Sequence, residues 1–290
     1  MAVRAVTIGF FDGVHIGHRR VLNTLLDKGG SAGVVTFWPH PRTVLQQEAR
    51  GLYLLSSLQE KMQAIHDCGV QQVECLEFTR DFASMTAEAF VKEYLIGRMG
   101  CTHLVLGYDN RIGSDGLSTQ QLAALARSMG LEVQIVDPCV LDGITVSSTQ
   151  VRNALGQGDV TLAAKMLGRP YSISGMVVPG NRIGRTIGFP TANIALSFPL
   201  KSVPANGVYA TRVVVQGKMY QGMTNIGVRP TVASTGEKVI ETNIFDFDRD
   251  IYGLEIEIIF DRRIRGEVRF SSLEELAGQL EKDKILCRLN

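Results

Sequence analysis

The stretch GFFDGVHIGH, Gly9 to His18, sets two histidines three residues apart among three glycines, just after a run of small apolar residues. A helix is expected to begin near Gly17. Its first turn leaves backbone N–H groups free and carries the positive end of the helix dipole. Such an end accepts an anion, above all a phosphate. Gly13 and Gly17 allow close backbone approach, because a Cβ there would collide with a nucleotide. His15 and His18 are placed to donate hydrogen bonds to the same anion and to offset charge that builds on a phosphoryl group during transfer. Alone, an H-x-x-H pair also arises as a surface accident or as half of a metal site.

Two further segments suit the same chemistry. In VLGYDNRIGSDG, Val105 to Gly116, Asp109 and Asn110 follow a predicted strand and are candidates to touch a ribose or a base; an Asp/Asn/Gly turn is the plainer reading. In VSSTQVRNAL, Val146 to Leu155, Ser148 or Thr149 can cap a helix with Arg152 one turn inside. Hydroxyls and an arginine at a helix start form a phosphate clamp, or simply an ordinary capped helix with a solvated arginine.

The second half has its own set. VVPGNRIGRTIGFPTANI, Val177 to Ile194, holds Gly180, Gly184 and Gly188 with Arg182 and Arg185. Glycines admit phosphates close to the backbone and basic residues offset their charge, though glycines alone also mark hairpin turns. The P-loop pattern G-x-x-x-x-G-K-[ST] is absent. In FPTAN, Pro190 fixes the chain, and Thr191 and Asn193 share a side if the segment is extended. A hydroxyl and an amide oxygen suit a hard cation such as Mg²⁺, which keeps phosphate and water ligands as well. Glu241, inside the apolar run of VIETNIFDFDRDIYG, is either a general base for an alcohol or a cross-strand pairing residue.

The elements that must hold these residues follow two rhythms. In the first half, short apolar strands (AVRAVTIGF, GVVTF, QVECLEF, HLVLG, EVQIV) alternate with helical patterns (SSLQEKMQAIHDCG, STQQLAALARSMG), with Ser118 as N-cap and Gly130 as stop of the latter. That alternation predicts a parallel sheet covered by helices on both faces, with ligands beyond the carboxyl ends of its strands. In the second half, NGVYATRVVVQG, KMYQGMTNIG, KVIETNIFDF and GLEIEIIFD read as antiparallel strands closed into a sandwich or barrel. A final helix shows spacing at Leu273, Leu276, Leu280 and Ile285. The rhythm changes near Leu167–Tyr171, where Asp159 caps a short helix and Gly168 ends it. Domains are therefore expected at 1–167 and 168–290.

The 290 residues fit two domains, with 45% hydrophobic and 20% charged residues. Lys+Arg exceed Asp+Glu only by 30 to 29, so no charge excess advertises nucleic acid or a membrane as partner. No apolar run approaches a membrane span, and MAVRAVTIGFFDG lacks the features of a signal peptide. The five cysteines include no C-x-x-C pair and are expected reduced, mostly buried and cytoplasmic.

The ordered motifs GFFDGVHIGH, TFWPHPR, GYDNRIG and SSTQVRNAL resemble the N-terminal domain of bacterial bifunctional riboflavin kinase/FAD synthetase, within the nucleotidyltransferase superfamily of the H-x-G-H signature. GNRIGRTIGFPTANI, NGVYA, NIGVRPT, ETNIFDFDRDIYG and FSSLEEL resemble its riboflavin kinase domain across nearly all of residues 170–290. The resemblance implies a Rossmann-like nucleotidyltransferase domain (FMN adenylyltransferase), then an antiparallel β-barrel kinase domain with a C-terminal helix. It implies that His15 and His18 support adenylyl transfer from ATP to FMN. Gly9, Phe10, Asp12, Gly17 and Asp109 then border the ATP, and Ser148, Thr149 and Arg152 handle its phosphates. In the kinase, Gly180, Gly184, Arg185 and Gly188 would form the ATP loop. Thr191 and Asn193 would hold Mg-ATP, and Glu241 would be the base for the ribityl 5′-hydroxyl of riboflavin.

The chain departs from the family in two places. Asp109-Asn110-Arg111-Ile112-Gly113 stands for the common D-F-x-F-G, and Ile264-Arg265-Gly266-Glu267 for L-R-P-E. Trp38 stands in a proline-stiffened loop that either borders the flavin or is structural. The function implied is synthesis of FMN from riboflavin and ATP, then of FAD from FMN and a second ATP. Two rivals remain: a kinase whose first domain is impaired, motivated by Asn110 and Ile112, and a flavin-sensing regulator without turnover.

Overall fold

The structure is a computed structural model describing residues 4–45, 53–180, 183–228 and 238–289. Arg182, and the Arg229–Thr231 end of NIGVRPT, lie outside the described residues. The chain divides into two compact units, Met1–Ser148 and Thr149–Asn290.

The first unit is built on five parallel strands: β1 (Arg4–Ile8), β2 (Ser31–Trp38), β3 (Gln72–Glu77), β4 (His103–Gly107) and β5 (Glu132–Val136), in the order β3-β2-β1-β4-β5. Each buried strand sends alternate residues to opposite faces. Ala5, Val34 and Val105 pack with Leu22, Leu25 and Ile65 on one side. Val6, Val35 and Leu104 pack with Phe90, Leu122 and Ala126 on the other. Helices therefore cover both faces. Helix Leu58–His66 starts with a capping box between Ser57 and Glu60, and helix Thr119–Ser128 with one between Ser118 and Gln121. Gly130 then takes φ +88° beyond the latter helix, the left-handed stop its sequence called for. From β1 the chain fills one side of the sheet with β2 and β3, then returns to place β4 and β5 on the other. The carboxyl ends of β1 and β4 thus flank the crevice where such sheets bind ligands. A small hairpin, β6 (Val140–Leu141) with β7 (Ile144–Thr145), precedes the second unit.

The second unit starts one residue into the helix Ser148–Gln157, which with Val160–Leu167 leads into six strands. Asp159 accepts from Leu162 N at 2.8 Å to cap the second helix, and Gly168 ends it at φ +70°. The strands are β8 (Tyr171–Val178), β9 (Ala192–Leu196), β10 (Gly207–Val215), β11 (Lys218–Val228), β12 (Lys238–Ile244) and β13 (Glu255–Arg265). They close as an antiparallel barrel in the order β10-β11-β12-β9-β8-β13, which leaves no free edge. Buried Thr211, Thr224 and Thr242 join hydroxyls across β10, β11 and β12 at 2.9 and 3.0 Å. The C-terminal helix Leu273–Arg288 packs on β10, β11 and β13. Its inner face keeps half of the expected stripe: Leu276 and Leu280 turn inward beside buried Asp283 and Cys287, while Leu273 and Ile285 are exposed.

All five cysteines are free, but only Cys101 and Cys287 are fully buried, the other three half-buried. Burial pushes the thiols of Cys101 and Cys287 up to about 12, which leaves them unreactive.

Candidate active sites

The first site begins with backbone strain. Between β1 and the helix Ile16–Leu26, Phe11, Gly13 and Val14 take φ of +51°, +79° and +42°. A β-branched residue avoids that region, so the surroundings must impose it. Asp12 supplies the clamp. Its carboxylate accepts from Leu55 N (2.9 Å), Ser56 N (3.2 Å) and Ser56 Oγ (3.3 Å), while Gly13 N donates to Ser56 Oγ at 3.1 Å. Ser148 Oγ donates to Asp12 O at 2.9 Å, so this hydroxyl fastens the turn instead of capping its own helix.

The clamp delivers the histidines. His15 is the N-cap of the helix, its Nδ1 accepting from His18 N at 3.2 Å. A neutral His15 that accepts at Nδ1 carries its proton on Nε2. The two rings stack with centroids 3.6 Å apart. His18 is half-buried, and its Nδ1 is enclosed with no hydrogen-bond partner. Burial first, then neighbouring His15, holds the His18 pKa well below the usual histidine range. It is therefore a neutral donor at pH 7. A Cβ on Gly17 would stand 3.1 Å from His15 Nδ1, and one on Gly9 3.2 Å from the Phe11 ring; both glycines keep the imidazole and the turn in place.

The other candidates of this site are placed less uniformly. The Phe10 ring packs tilted against Phe37 and His40, with centroids 5.2 and 5.3 Å apart. Asp109 is exposed beyond β4. Asn110 is a tie: Nδ2 donates to Ile8 O (2.9 Å) and Oδ1 accepts from Gly107 N (2.5 Å), joining the ends of β1 and β4. Thr149 and Arg152 belong to the second unit, where Arg152 Nη2 donates to Thr149 Oγ1 at 3.4 Å.

The second site is a row across the barrel. Residue register sets Asn193 of β9 opposite Glu241 of β12, and Glu241 opposite Asn225 of β11. Opposed residues share a sheet face. Glu241 and Asn225 line a cavity of about 310 Å³ with Thr191, Asn243, Arg265 and Glu267. Its apolar wall includes Phe189, Val208, Met223 and Phe270, with Leu276 and Leu280 from the C-terminal helix. Asn243 Nδ2 donates to Pro190 O at 2.6 Å, which fastens the FPTAN segment to β12. Asn193 is buried and its Oδ1 has no hydrogen-bond partner. A Cβ on Gly180 would run into the Asn193 amide, and one on Gly184 into Phe189 O. Gly184 lines the cavity; Arg185 is exposed, and Gly188 takes φ +84° in the turn before Phe189. The roof is bolted by Arg265, whose Nε and Nη2 donate to the fully buried Asp283 carboxylate at 2.9 and 2.8 Å.

Known proteins share both halves. A FAD synthetase family model matches residues 2–150, and a riboflavin kinase model residues 167–289. The bifunctional riboflavin kinase/FMN adenylyltransferase of Bacillus subtilis (strain 168) is 37% identical over 289 residues, 98% of this chain and 91% of that protein. The chain belongs to the bifunctional riboflavin kinase/FMN adenylyltransferase family. The protein of that name in Escherichia coli (strain K12) is also 37% identical, again over 98% of this chain and 91% of its own length. A crystal structure described as a macrolide-efflux protein from Streptococcus pneumoniae matches with TM-score 0.91 and 34% identity, over 100% of this chain and 95% of that one. No described helix of this chain is long and apolar enough to cross a membrane.

Within this family the departures at Asn110 and Ile112 have structural uses: Asn110 ties β1 to β4, and Ile112 packs with Leu117 against the sheet. Sequence reading missed Asn225, Asn243 and the Arg265–Asp283 pair, because each gains its place from a strand or helix far away in the chain. It also missed Lys61, which stands in the middle of an amphipathic helix yet is 3% exposed.

Proposed function

We propose that the chain phosphorylates riboflavin to FMN in the barrel and adenylylates FMN to FAD in the first unit. The observation that carries this is the cross-strand register Asn193–Glu241–Asn225, with Glu241 and Asn225 on a largely apolar cavity, in a unit other than that of the strained histidine turn. In the kinase step, Glu241 takes the proton of the 5′-hydroxyl, the oxygen bonds to the γ-phosphorus of ATP, and ADP leaves. The apolar wall holds the isoalloxazine ring and Gly184 gives room for phosphates.

Thr191 and Asn193 would hold Mg²⁺. The donor set fits a hard cation, since the Asn193 Oδ1 lone pairs are buried without a hydrogen-bond donor. When bound, the ion supplies charge neutralisation and alignment of the ATP phosphates.

In the adenylyl step, a phosphate oxygen of FMN bonds to the α-phosphorus of ATP and pyrophosphate leaves. FMN phosphate is already ionised, so donors are needed more than a base. His15, His18 and the N–H groups of the first helical turn serve as those donors. Gly9, Phe10, Asp12, Gly17, Asp109 and Ser148 complete the ATP site in this reading. The activities divide at 167/168, and the enzyme works in the cytoplasm, where thiols stay reduced.

Chromatography of products from riboflavin and Mg-ATP tests the reading. FMN followed by FAD is expected. A reaction that stops at FMN leaves a kinase alone, and binding without turnover leaves a sensor.

A further inference from the structure

Lys61 is a buried charge that neither reaction scheme uses. It lies in helix Leu58–His66 at 3% exposure. Its Nζ donates to Thr36 Oγ1 at 3.0 Å and to Phe37 O at 2.8 Å, both at the carboxyl end of β2. Thr36 Oγ1 in turn donates to Phe10 O at 3.4 Å, in the turn that carries the histidines. The ammonium stands 5.4 Å from the Trp38 ring. With Phe10, Asp12, Trp38, His40 and Ser56 it lines one small cavity. The titratable groups around it are Asp12 from the turn, His18 from the first helix, Cys75 from β3 and His40 after β2.

Burying an ammonium is costly, and an apolar side chain of similar volume would fill the same hole at less cost. The helix pattern would readily supply one. The Asp12 carboxylate is already engaged by the Leu55 and Ser56 N–H groups, so the lysine is not needed to satisfy it. What the lysine adds is a fixed link from β2 to Phe10 and a positive charge behind the phosphate cradle. We propose that Lys61 is a positioning residue for adenylyl transfer, holding the His15–His18 turn through Thr36 and Phe10 and lending the cradle a buried positive charge. The proposal rests on the first-site reading above.

A pH signature follows. Burial lowers the Lys61 pKa to about 8. The unfolded chain keeps a lysine protonated to about pH 10.4, so between these values it binds more protons than the folded one. The Lys61 contribution to stability therefore rises with pH in that window, against the opposite contribution of the Cys101 and Cys287 thiols, which are held up to about 12, whereas a catalytic use of the charge makes adenylyl transfer fall there. Comparison with Lys61→Arg, which stays charged, separates the fall in rate from these other titrations.

The test uses the full chain with FMN and Mg-ATP, scoring FAD from about pH 7 to 10. FMN made from riboflavin in the same preparation is the internal control. The lone tryptophan, Trp38, reports by fluorescence on folding of the first unit. Lys61→Met should lose FAD synthesis about 10–100-fold, the range for residues that orient a reacting group from behind, with kinase rate kept and the unfolding midpoint followed by Trp38 not lowered. The parent should lose adenylyl transfer above about pH 8. Lys61→Arg, charged throughout, should fold and show no such alkaline fall. The proposal is overturned if Lys61→Met makes FAD at the parent rate, or if its loss tracks Trp38 unfolding while Lys61→Arg keeps the parent's pH profile. A parent that makes no FAD overturns the first-site reading and takes the lysine's role with it. A parent that makes FAD beside an equally active Lys61→Met removes the lysine's role alone.

Discussion

The two proposed sites are built in opposite ways. In the first unit the donors are local: a strained turn, the helix it starts and two stacked imidazoles lie within Gly9–His18, at the mouth of a parallel sheet. In the second, the polar groups come from β9, β11 and β12, set side by side by ladder register and roofed by a helix that begins at Leu273. The first site carries its histidines on one segment, which distant Leu55, Ser56 and Ser148 hold in place. A barrel-face site needs several strands to pair in register, since a one-residue slip would turn Glu241 away from its cavity.

That contrast can be broken most sharply at the histidines. His15→Ala with His18→Ala should cut FAD synthesis by ~10⁴–10⁶, two donors of ~10²–10³ each multiplying. Riboflavin phosphorylation should continue and FMN accumulate, as chromatography of the products would show. FAD made at the parent rate would remove the histidines from the chemistry.

The mirror experiment is Glu241→Gln, which keeps shape and removes the proton acceptor. Kinase turnover should fall ~10²–10⁴ while flavin and ATP still bind and supplied FMN still becomes FAD. A near-normal kinase rate would reduce Glu241 to a cross-strand partner of Asn193 and Asn225.

A smaller effect is expected at Thr191. Thr191→Val is nearly isosteric and removes one cation ligand, for a kinase loss of about 10–100-fold. Excess Mg²⁺ should not fully restore the rate. A variant that titrates with Mg²⁺ like the parent would take Thr191 out of the ligand set.

How far the sequence was readable follows the same division. The histidine turn, the capped helices at Ser57 and Ser118 and the stop at Gly130 are local events, so their residues declare them. Asp12 was readable as part of the motif, but its clamp on Leu55 and Ser56 was not, because those partners arrive 43 and 44 residues later. Lys61 falls in the middle of an amphipathic helix, and Phe37 O and Thr36, contributed by β2, receive its ammonium in the interior. In the C-terminal helix, hydrophobicity pointed to Ile285, yet the buried position is Asp283, because Arg265 of β13 waits there for a carboxylate. Leu276 and Leu280 of the expected stripe do face the cavity, and the buried ion pair continues that face where an apolar residue was expected.

The smallest effect on chemistry, and the test of where the two activities part, lies in the helices before the barrel. The proposed boundary at 167/168 would leave every proposed kinase residue in a fragment 168–290. The compact unit instead begins at Thr149. Helix Val160–Leu167 packs on β8 and β13, with Val160, Ala163, Met166 and Leu167 at 1% exposure or less. Arg263 Nη1 donates to Gln157 O at 3.2 Å, and Ala205 N to Leu155 O at 2.8 Å. Cutting at 168 removes all of this, and each large buried side chain lost forfeits about 1.5–3 kcal/mol of burial. Against a typical total of about 5–15 kcal/mol, that is a severe cut. Fragments 149–290 and 168–290 should both phosphorylate riboflavin at low temperature, at rates within a few-fold of each other. The shorter should melt well below the longer by circular dichroism. A shorter fragment that is folded but inactive would move the boundary back to the start of the compact unit, and would make the two helices part of the kinase rather than a brace beneath it.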